Sequence, residues 1–250
     1  SLHDALPILV FFNPSLRTRA SFEAAMLRGG GHAIVLEVGS GVWKLEDRTG
    51  VVMDGDRPEH IREAIPVLGR YVDALAVRTF GALQDDDTDA ADPVINAFRE
   101  LAGVPVISME SAREHPCQGL ADLLTVREHF GATKKLAVTL TWAPHIKPLP
   151  KAVPHSFLLS AAAAGCEVRI AHPPGFDLHP AVLAEAQTYA RQSGGSVTVN
   201  SDRRRALNGS HVVYAKAWGP ATGEAVASAA AAPIAAHKDR SEEHTSELQS

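Results

Sequence analysis

LVFFNPSLRTRASFEAAMLRGGG, residues 9–31, is the stretch from which the fold is read. Leu9, Val10, Phe11 and Phe12 form an unbroken apolar run, the mark of a strand buried on both faces. Pro14 stands where a helix tolerates proline, in its first turn, and Phe22, Ala25 and Met26 then recur at helical spacing. Gly29, Gly30 and Gly31 end the helix. The segment therefore predicts strand, tight turn, helix, with Ser15, Arg17, Thr18 and Arg19 at the helix N-terminus. Free backbone N–H groups and the helix dipole receive an anion there. Guanidinium forks and hydroxyls suit phosphate oxygens. The competing reading is a solvated first turn, but two cations opposed to the dipole call for compensation, and a bound anion supplies it.

Composition bounds the rest. At 250 residues the chain has room for two domains of ordinary size, and 45% hydrophobic with 21% charged residues is a soluble globular profile. A net charge of −5 and a pI near 6.2 point to neither nucleic acid nor an anionic membrane as partner. The two cysteines, Cys117 and Cys166, form no CxxC pair and no disulfide framework, so a reducing, cytoplasmic setting fits. No apolar run is long enough to span a bilayer. Residues 1–8, SLHDALPI, and 240–250, RSEEHTSELQS, resemble translated sequencing adapter and are set aside from fold reasoning, with Ile8 as a borderline residue. The expectation is a gene fragment.

Beyond residue 31 the chain alternates strands and helices. Strands are expected at 32–38, 73–78, 104–109, 136–141, 167–171, 196–199 and 211–215. Helices are expected at 59–68 (opened by Pro58), 93–102, 117–130, 156–164, 180–192 and 203–207. Acidic residues 85–92 and the proline-rich stretch to Pro154 are expected to be loops. This rhythm predicts an α/β protein with two domains of parallel sheet flanked by helices, residues 9–130 and 131–239. Ligands on such sheets bind at the carboxyl ends of strands. The groups there are Ser15–Arg19, Arg78, Glu110 with His115–Gln118, Trp142 with His145, and Lys216 with Trp218. His115 and Gln118 are three apart at a helix start and can face one ligand, polarising a carbonyl and binding its NH2 group. Taken singly, a capping histidine and a surface amide explain them as well.

SLRTR at 15–19 together with HPCQ at 115–118 resembles the transcarbamylase family, the aspartate and ornithine carbamoyltransferases. GVWKLEDRTGVVMDGDRPEHI, TWAPHIKPLP and YAKAWG are similar to the knotted branch acting on N-acylated ornithine, and the likeness runs over residues 9–239. The resemblance implies the transcarbamylase fold, with a trefoil knot of the second domain as an open expectation. It implies that Ser15, Leu16 (backbone), Arg17 and Thr18 bind the phosphate of carbamoyl phosphate. Arg78, His115 and Gln118 would complete that site, and Arg17, Arg78 and His115 would be catalytic. Trp43 would reach a neighbouring subunit's site in a homotrimer. Glu110, His145 and Lys216 match contacts to the amino-acid substrate, and 145–154 would be the loop through which later chain threads. The first domain would then bind carbamoyl phosphate and the second, truncated, the acylornithine.

Where the acetylornithine branch has a glutamate, this chain has Pro58, as the succinylornithine branch does. A facing glutamate would repel the extra carboxylate of a succinyl tail, so N-succinylornithine is the expected substrate and N-acetylornithine the alternative. Pro58 could equally just start a helix. The implied reaction is cofactor-free carbamoyl transfer to the δ-amine in arginine biosynthesis. The family's later HCLP-type loop and the basic residues after it are absent, which implies an inactive fragment of an active parent. A non-catalytic carbamoyl-phosphate-binding paralogue is the non-enzyme alternative. A dinucleotide-binding module lacks its GxGxxG, a P-loop its GxxxxGK[ST], and, despite 12 histidines, a metal site its HExxH. Cys117 reads as a small buried residue and 203–205 as a solvated helix start.

Overall fold

The computed structural model describes residues 3–145 and 148–221. They fall into two compact units, Ser1–Gly81 with Asp92–Ala112, and Ala82–Ala91 with Arg113–Ser250.

The first unit contains β1 (Pro7–Phe11), α1 (Leu16–Arg28), β2 (Ile34–Glu37), β3 (Leu45–Glu46), β4 (Glu59–His60), α2 (Ile61–Gly69) and β5 (Ala74–Arg78). After α3 (Asp86–Ala91), which belongs to the second unit, it is completed by α4 (Pro93–Leu101) and β6 (Val106–Glu110). Its main sheet is parallel in the order β2-β1-β5-β6. All five residues of β1 are buried, and they alternate between the sheet's faces. Leu9 and Phe11 pack with Ala76, Met109 and Phe22, while Ile8 and Val10 pack with Leu75, Val77, Ile65 and Phe98.

The second unit holds α5 (Pro116–Phe130), β7 (Ala137–Trp142), α6 (Ala152–Ala163), β8 (Glu167–Ala171), α7 (Pro180–Ser193), β9 (Ser196–Val199), α8 (Arg203–Leu207) and β10 (Val212–Lys216). Its sheet is also parallel, in the order β10-β7-β8-β9. One large cluster fills it, running from Val138, Leu140, Phe157 and Leu158 to Val182, Ala186 and Trp218. Among the described residues no helix is long and apolar enough to cross a membrane.

The α/β rhythm and parallel sheets match the expectation, and several boundaries are corrected. Pro7 and Ile8 are not outside the fold: Ile8 is paired with Ile34 and Leu75, and Leu6 exchanges hydrogen bonds with Asp73. Residues 240–250 lie outside the described residues. Pro58 does not open α2. Glu59–His60 pair with β3, and the His60 imidazole caps the helix by accepting from Arg62 N at 3.1 Å. α2 then continues past Pro66 to Gly69. The acidic stretch is a helix, not a loop. Asp85 accepts from Thr88 N at 2.9 Å, and Asp86, Asp87 and Asp89 complement the dipole of the first turn of α3. α6 begins at Ala152, before the expected 156, because Pro154 falls in its first turn.

The expected division at 130/131 differs from the division at 112/113. α5 packs on α6, and α3 is tied to the second unit by ion pairs of Asp86 with Lys151 and Asp87 with His179. The knot expectation rests on the loop at 145–154, of which 146 and 147 lie outside the described residues, and on chain beyond 221, which also does.

Candidate active site

In the first unit β2 and β5 flank β1 on opposite sides, so successive connections leave β1 in opposite directions. The crevice at such a switch point is where an open α/β sheet receives a ligand. Ser15 caps α1 there, its Oγ accepting from Thr18 N at 3.3 Å. Arg78 ends the neighbouring β5, in register with Phe11. Its Nη1 donates to Thr18 Oγ1 at 3.3 Å, which joins the α1 N-terminus to the β5 C-terminus. Asn13 closes the turn, accepting from Phe80 N at 2.9 Å, and the Phe80 ring lies 4.9 Å from the Arg78 guanidinium carbon.

Arg78 is buried and forms an ion pair with buried Glu110. A β-bulge puts them side by side: Val77 is in register with Ser108, but Arg78 is in register with Glu110. Burial pushes the Arg78 pKa down, and Glu110 opposes this. The Arg78 Nε is buried with no hydrogen-bond partner among the described residues. Arg17 is exposed and has no ion pair among the described residues, and Leu16 is exposed at the first helical position. Arg19 departs from the sequence reading: Glu37 at 2.7 Å and Glu23 at 3.3 Å compensate its charge, so no bound anion is needed for it.

In the second unit His115 is the N-cap of α5. Its Nδ1 accepts from Gln118 N at 3.3 Å, which leaves the proton of the neutral ring on Nε2, a donor. Its backbone N donates to buried Ser156 Oγ at 2.6 Å, fixing the helix start on α6. The side-chain amide of Gln118 donates from Nε2 to Asp122 Oδ1 at 2.8 Å. Cys117 is half-buried, and burial pushes its thiol pKa up, away from the thiolate.

The second sheet has its own switch point, between β7 and β10. Half-buried His145 and Lys216 follow or end those strands, joined by the bond from Ala143 N to Lys216 O at 2.9 Å. Trp142 and Trp218 belong to the core instead: Trp142 Nε1 donates to Trp218 O at 3.0 Å, and Trp218 Nε1 to Phe176 O at 2.8 Å.

Trp43 and Pro58 are exposed on the segment that carries β3 and β4. Trp43 Nε1 donates to Glu59 Oε2 at 2.8 Å. The segment is clamped by buried Glu46, which accepts from Arg48 at 2.8 and 2.9 Å and from Arg57 at 3.2 Å. The hydrogen bonds from Arg48, with the charge of Arg57, pull the Glu46 carboxyl down to about 2.

The structure thus joins Ser15, Thr18, Arg78 and Glu110 within the first unit, and His115 with Gln118 within the second. Sequence reasoning missed Asn13, Ser156 and Asp122. Asp122 carried a signal, the four-residue spacing of an amide–carboxylate pair on a helix. Among the described residues there is no cluster of three His, Cys, Asp or Glu side chains able to hold a metal.

Residues 1–128 match the model of the aspartate/ornithine carbamoyltransferase carbamoyl-P binding domain, and residues 150–231 that of the Asp/Orn binding domain. The chain is 43% identical to N-succinylornithine carbamoyltransferase of Bacteroides thetaiotaomicron, over 87% of this chain and 64% of that protein. It is 45% identical to N-acetylornithine carbamoyltransferase of Xanthomonas campestris pv. campestris, over 84% of this chain and 63% of that protein. A crystal structure of N-acetyl-L-ornithine transcarbamylase with a glutamate replaced by proline, complexed with carbamyl phosphate and N-succinyl-L-norvaline, matches with a TM-score of 0.86. It is 42% identical and covers 92% of this chain and 71% of that one. The chain therefore spans just under two thirds of the length of these curated relatives.

Proposed function

The chain belongs to the aspartate/ornithine carbamoyltransferase family, and from that premise we propose that it serves carbamoyl transfer from carbamoyl phosphate to the δ-amine of N-succinylornithine. The products are N-succinylcitrulline and phosphate, in arginine biosynthesis. One observation carries the reading: a buried arginine on the Thr18 hydroxyl, at the switch point of a parallel sheet, beside the Ser15-capped N-terminus of α1.

Ser15, Leu16 N, Arg17 and Thr18 take the phosphate, with Arg78 on its inner side. Arg78 keeps its charge in a buried place because Glu110 faces it, which makes Glu110 first of all a counter-ion. The His115 Nε2–H polarises the carbamoyl C=O, and Gln118 meets its NH2 group. The neutral δ-amine attacks the carbamoyl carbon, and Arg17, Arg78 and His115 stabilise the charge that develops on oxygen. Phosphate leaves and takes the proton, so no protein base is assigned. Most of the rate gain comes from holding the two substrates in line. His145 and Lys216, at the second sheet's switch point, hold the amino-acid end. The active form is a homotrimer in which exposed Trp43 serves a neighbouring subunit's site.

The succinyl preference rests on Pro58. Of the carboxylates beside it, Asp56 is paired with the Lys44 ammonium, while Glu59 accepts from the neutral Trp43 indole. The proline-bearing relative that holds N-succinyl-L-norvaline is in keeping with this.

The test is calorimetric titration of the chain with carbamoyl phosphate, then with N-succinyl- and N-acetyl-L-norvaline in its presence. Carbamoyl phosphate should bind, and Arg78→Ala should weaken it at least about tenfold, the loss of one charged hydrogen bond. The succinyl compound should bind more tightly than the acetyl one. Pro58→Glu should cut that preference about fivefold, from about 1 kcal/mol of like-charge repulsion at 4 Å in water. Failure of carbamoyl phosphate to bind removes the whole reading; tighter binding of the acetyl compound removes only the succinyl assignment.

A further inference from the structure

We propose that Asp122 is a positioning residue that turns the Gln118 carbonyl toward the ligand, so that the first turn of α5 is set in advance to recognise an O=C–NH2 edge. The inference rests on the reading above, in which Gln118 meets the carbamoyl NH2. An amide side chain can present either end, and a ligand NH2 group, which only donates, needs the carbonyl end. A carboxylate only accepts. With Asp122 Oδ1 at 2.8 Å, the Gln118 nitrogen must face it, and Oε1 is left at the other end of the amide.

The Asp122 carboxylate lies half-buried on α5, where burial pushes its pKa up; Gln118 and the nearby Tyr214 hydroxyl favour its charged form against that, while Oδ2 makes no hydrogen bond among the described residues. Tyr214 is fixed in turn by stacking on Phe157 of α6, with ring centroids 4.2 Å apart and planes 19° apart. Three residues before Gln118, the backbone bond into His115 Nδ1 leaves Nε2 as the donor of that ring. One turn of helix therefore offers a donor at His115 and an acceptor at Gln118. A carbamoyl group offers the complement, an accepting C=O and a donating NH2.

Acetyl phosphate differs from carbamoyl phosphate by a methyl in place of NH2, so the ratio of the two affinities reads the Gln118 contact alone. Inorganic phosphate reads the phosphate site. The chain should prefer carbamoyl phosphate by about tenfold, the worth of one hydrogen bond left unmade. Asp122→Ala should bring the ratio toward one while inorganic phosphate binds as before. The double variant Asp122→Asn with Gln118→Glu should restore the preference. Its carboxylate at position 118 accepts from the new amide at position 122 and from the ligand, whichever way it turns. A wild-type chain that binds both acyl phosphates equally overturns the carbamoyl reading itself. A wild-type preference that survives Asp122→Ala overturns this inference alone. If Asp122→Ala does not fold, Asp122→Asn decides: its amide can meet either end of the Gln118 amide, so a fallen preference supports the assignment and an unchanged one overturns it.

Discussion

In the first unit the sheet divides its buried side chains between two clusters, and the one facing α1 is thin, with Leu9, Phe11, Ala76 and Met109 fully buried and Met26 the only buried residue of the helix. In the second unit one cluster runs through the sheet and nearly the whole of α6. Their switch points differ in the same sense. The first is lined by a serine cap, a threonine and a buried Arg78–Glu110 pair, the second is backed by two tryptophans that satisfy their indole N–H groups on backbone carbonyls. The lesson is one of division of labour. A site for a small, highly charged ligand needs fixed charge and hydroxyls, which stabilise a fold little, whereas the second unit's switch point is backed by apolar packing within that unit.

The comparison breaks most visibly at Arg78. Arg78→Ala leaves Glu110 buried without its counter-ion and should cost about 3–5 kcal/mol in urea denaturation. The Arg78→Met, Glu110→Met pair should recover most of that while carbamoyl phosphate binding stays lost, which separates stability from ligand binding. Two glycines test packing, one in each unit. A Cβ at Gly69 would overlap the Ala102 carbonyl oxygen, whereas one at Gly119 would meet the rotatable Ser160 hydroxyl and, at 3.1 Å, the Ser156 carbonyl oxygen. Gly69→Ala should therefore cost about 1–3 kcal/mol, and Gly119→Ala less, with Ser160→Ala recovering part of the loss; thermal melting reads both.

Acid should act on the two units in different ranges. Burial holds His155 neutral, with its pKa lowered from 6.5 to about 3. The unfolded chain binds that proton first, so the second unit loses stability as pH falls from about 6.5 to about 3. Glu46 lies in the first unit, lowered from 4.5 to about 2, and its contribution is lost only as pH falls through that lower range. Far-UV circular dichroism against pH should lose the upper limb in His155→Gln, and Trp43 fluorescence should lose the lower one in Glu46→Gln. The smallest effect is expected at Lys44→Ala. Its pair with Asp56 is exposed, and the denaturation midpoint should not move measurably.

Much of the fold was legible. A strand run such as Leu9–Phe11 announces itself because a parallel strand buried on both faces is continuously apolar. The short β3–β4 pair was not legible, since two-residue strands have no periodicity to read. The helix at 86–91 was hidden by its acidity, which looks like a loop until the Asp85 cap and the partners Lys151 and His179 are seen. Of the candidate site, the strand-to-helix turn at Ser15 and the capping position of His115 could be read locally. The pairing of Arg78 with Glu110 could not, because it depends on a one-residue bulge between strands far apart in sequence.

The sequence by itself determined which residues would be strand, cap and first turn, because apolar period, proline placement and capping chemistry act over a few residues. Only the tertiary structure decided which charges were spent and which were poised. Arg19 and Arg78 look alike in the sequence, yet one is tied to its helix's own Glu23 and to Glu37, while the other is buried against Glu110 with a hydrogen bond to Thr18. Electrostatic partners are set by distance in space, and that distance is known only once strands are in register.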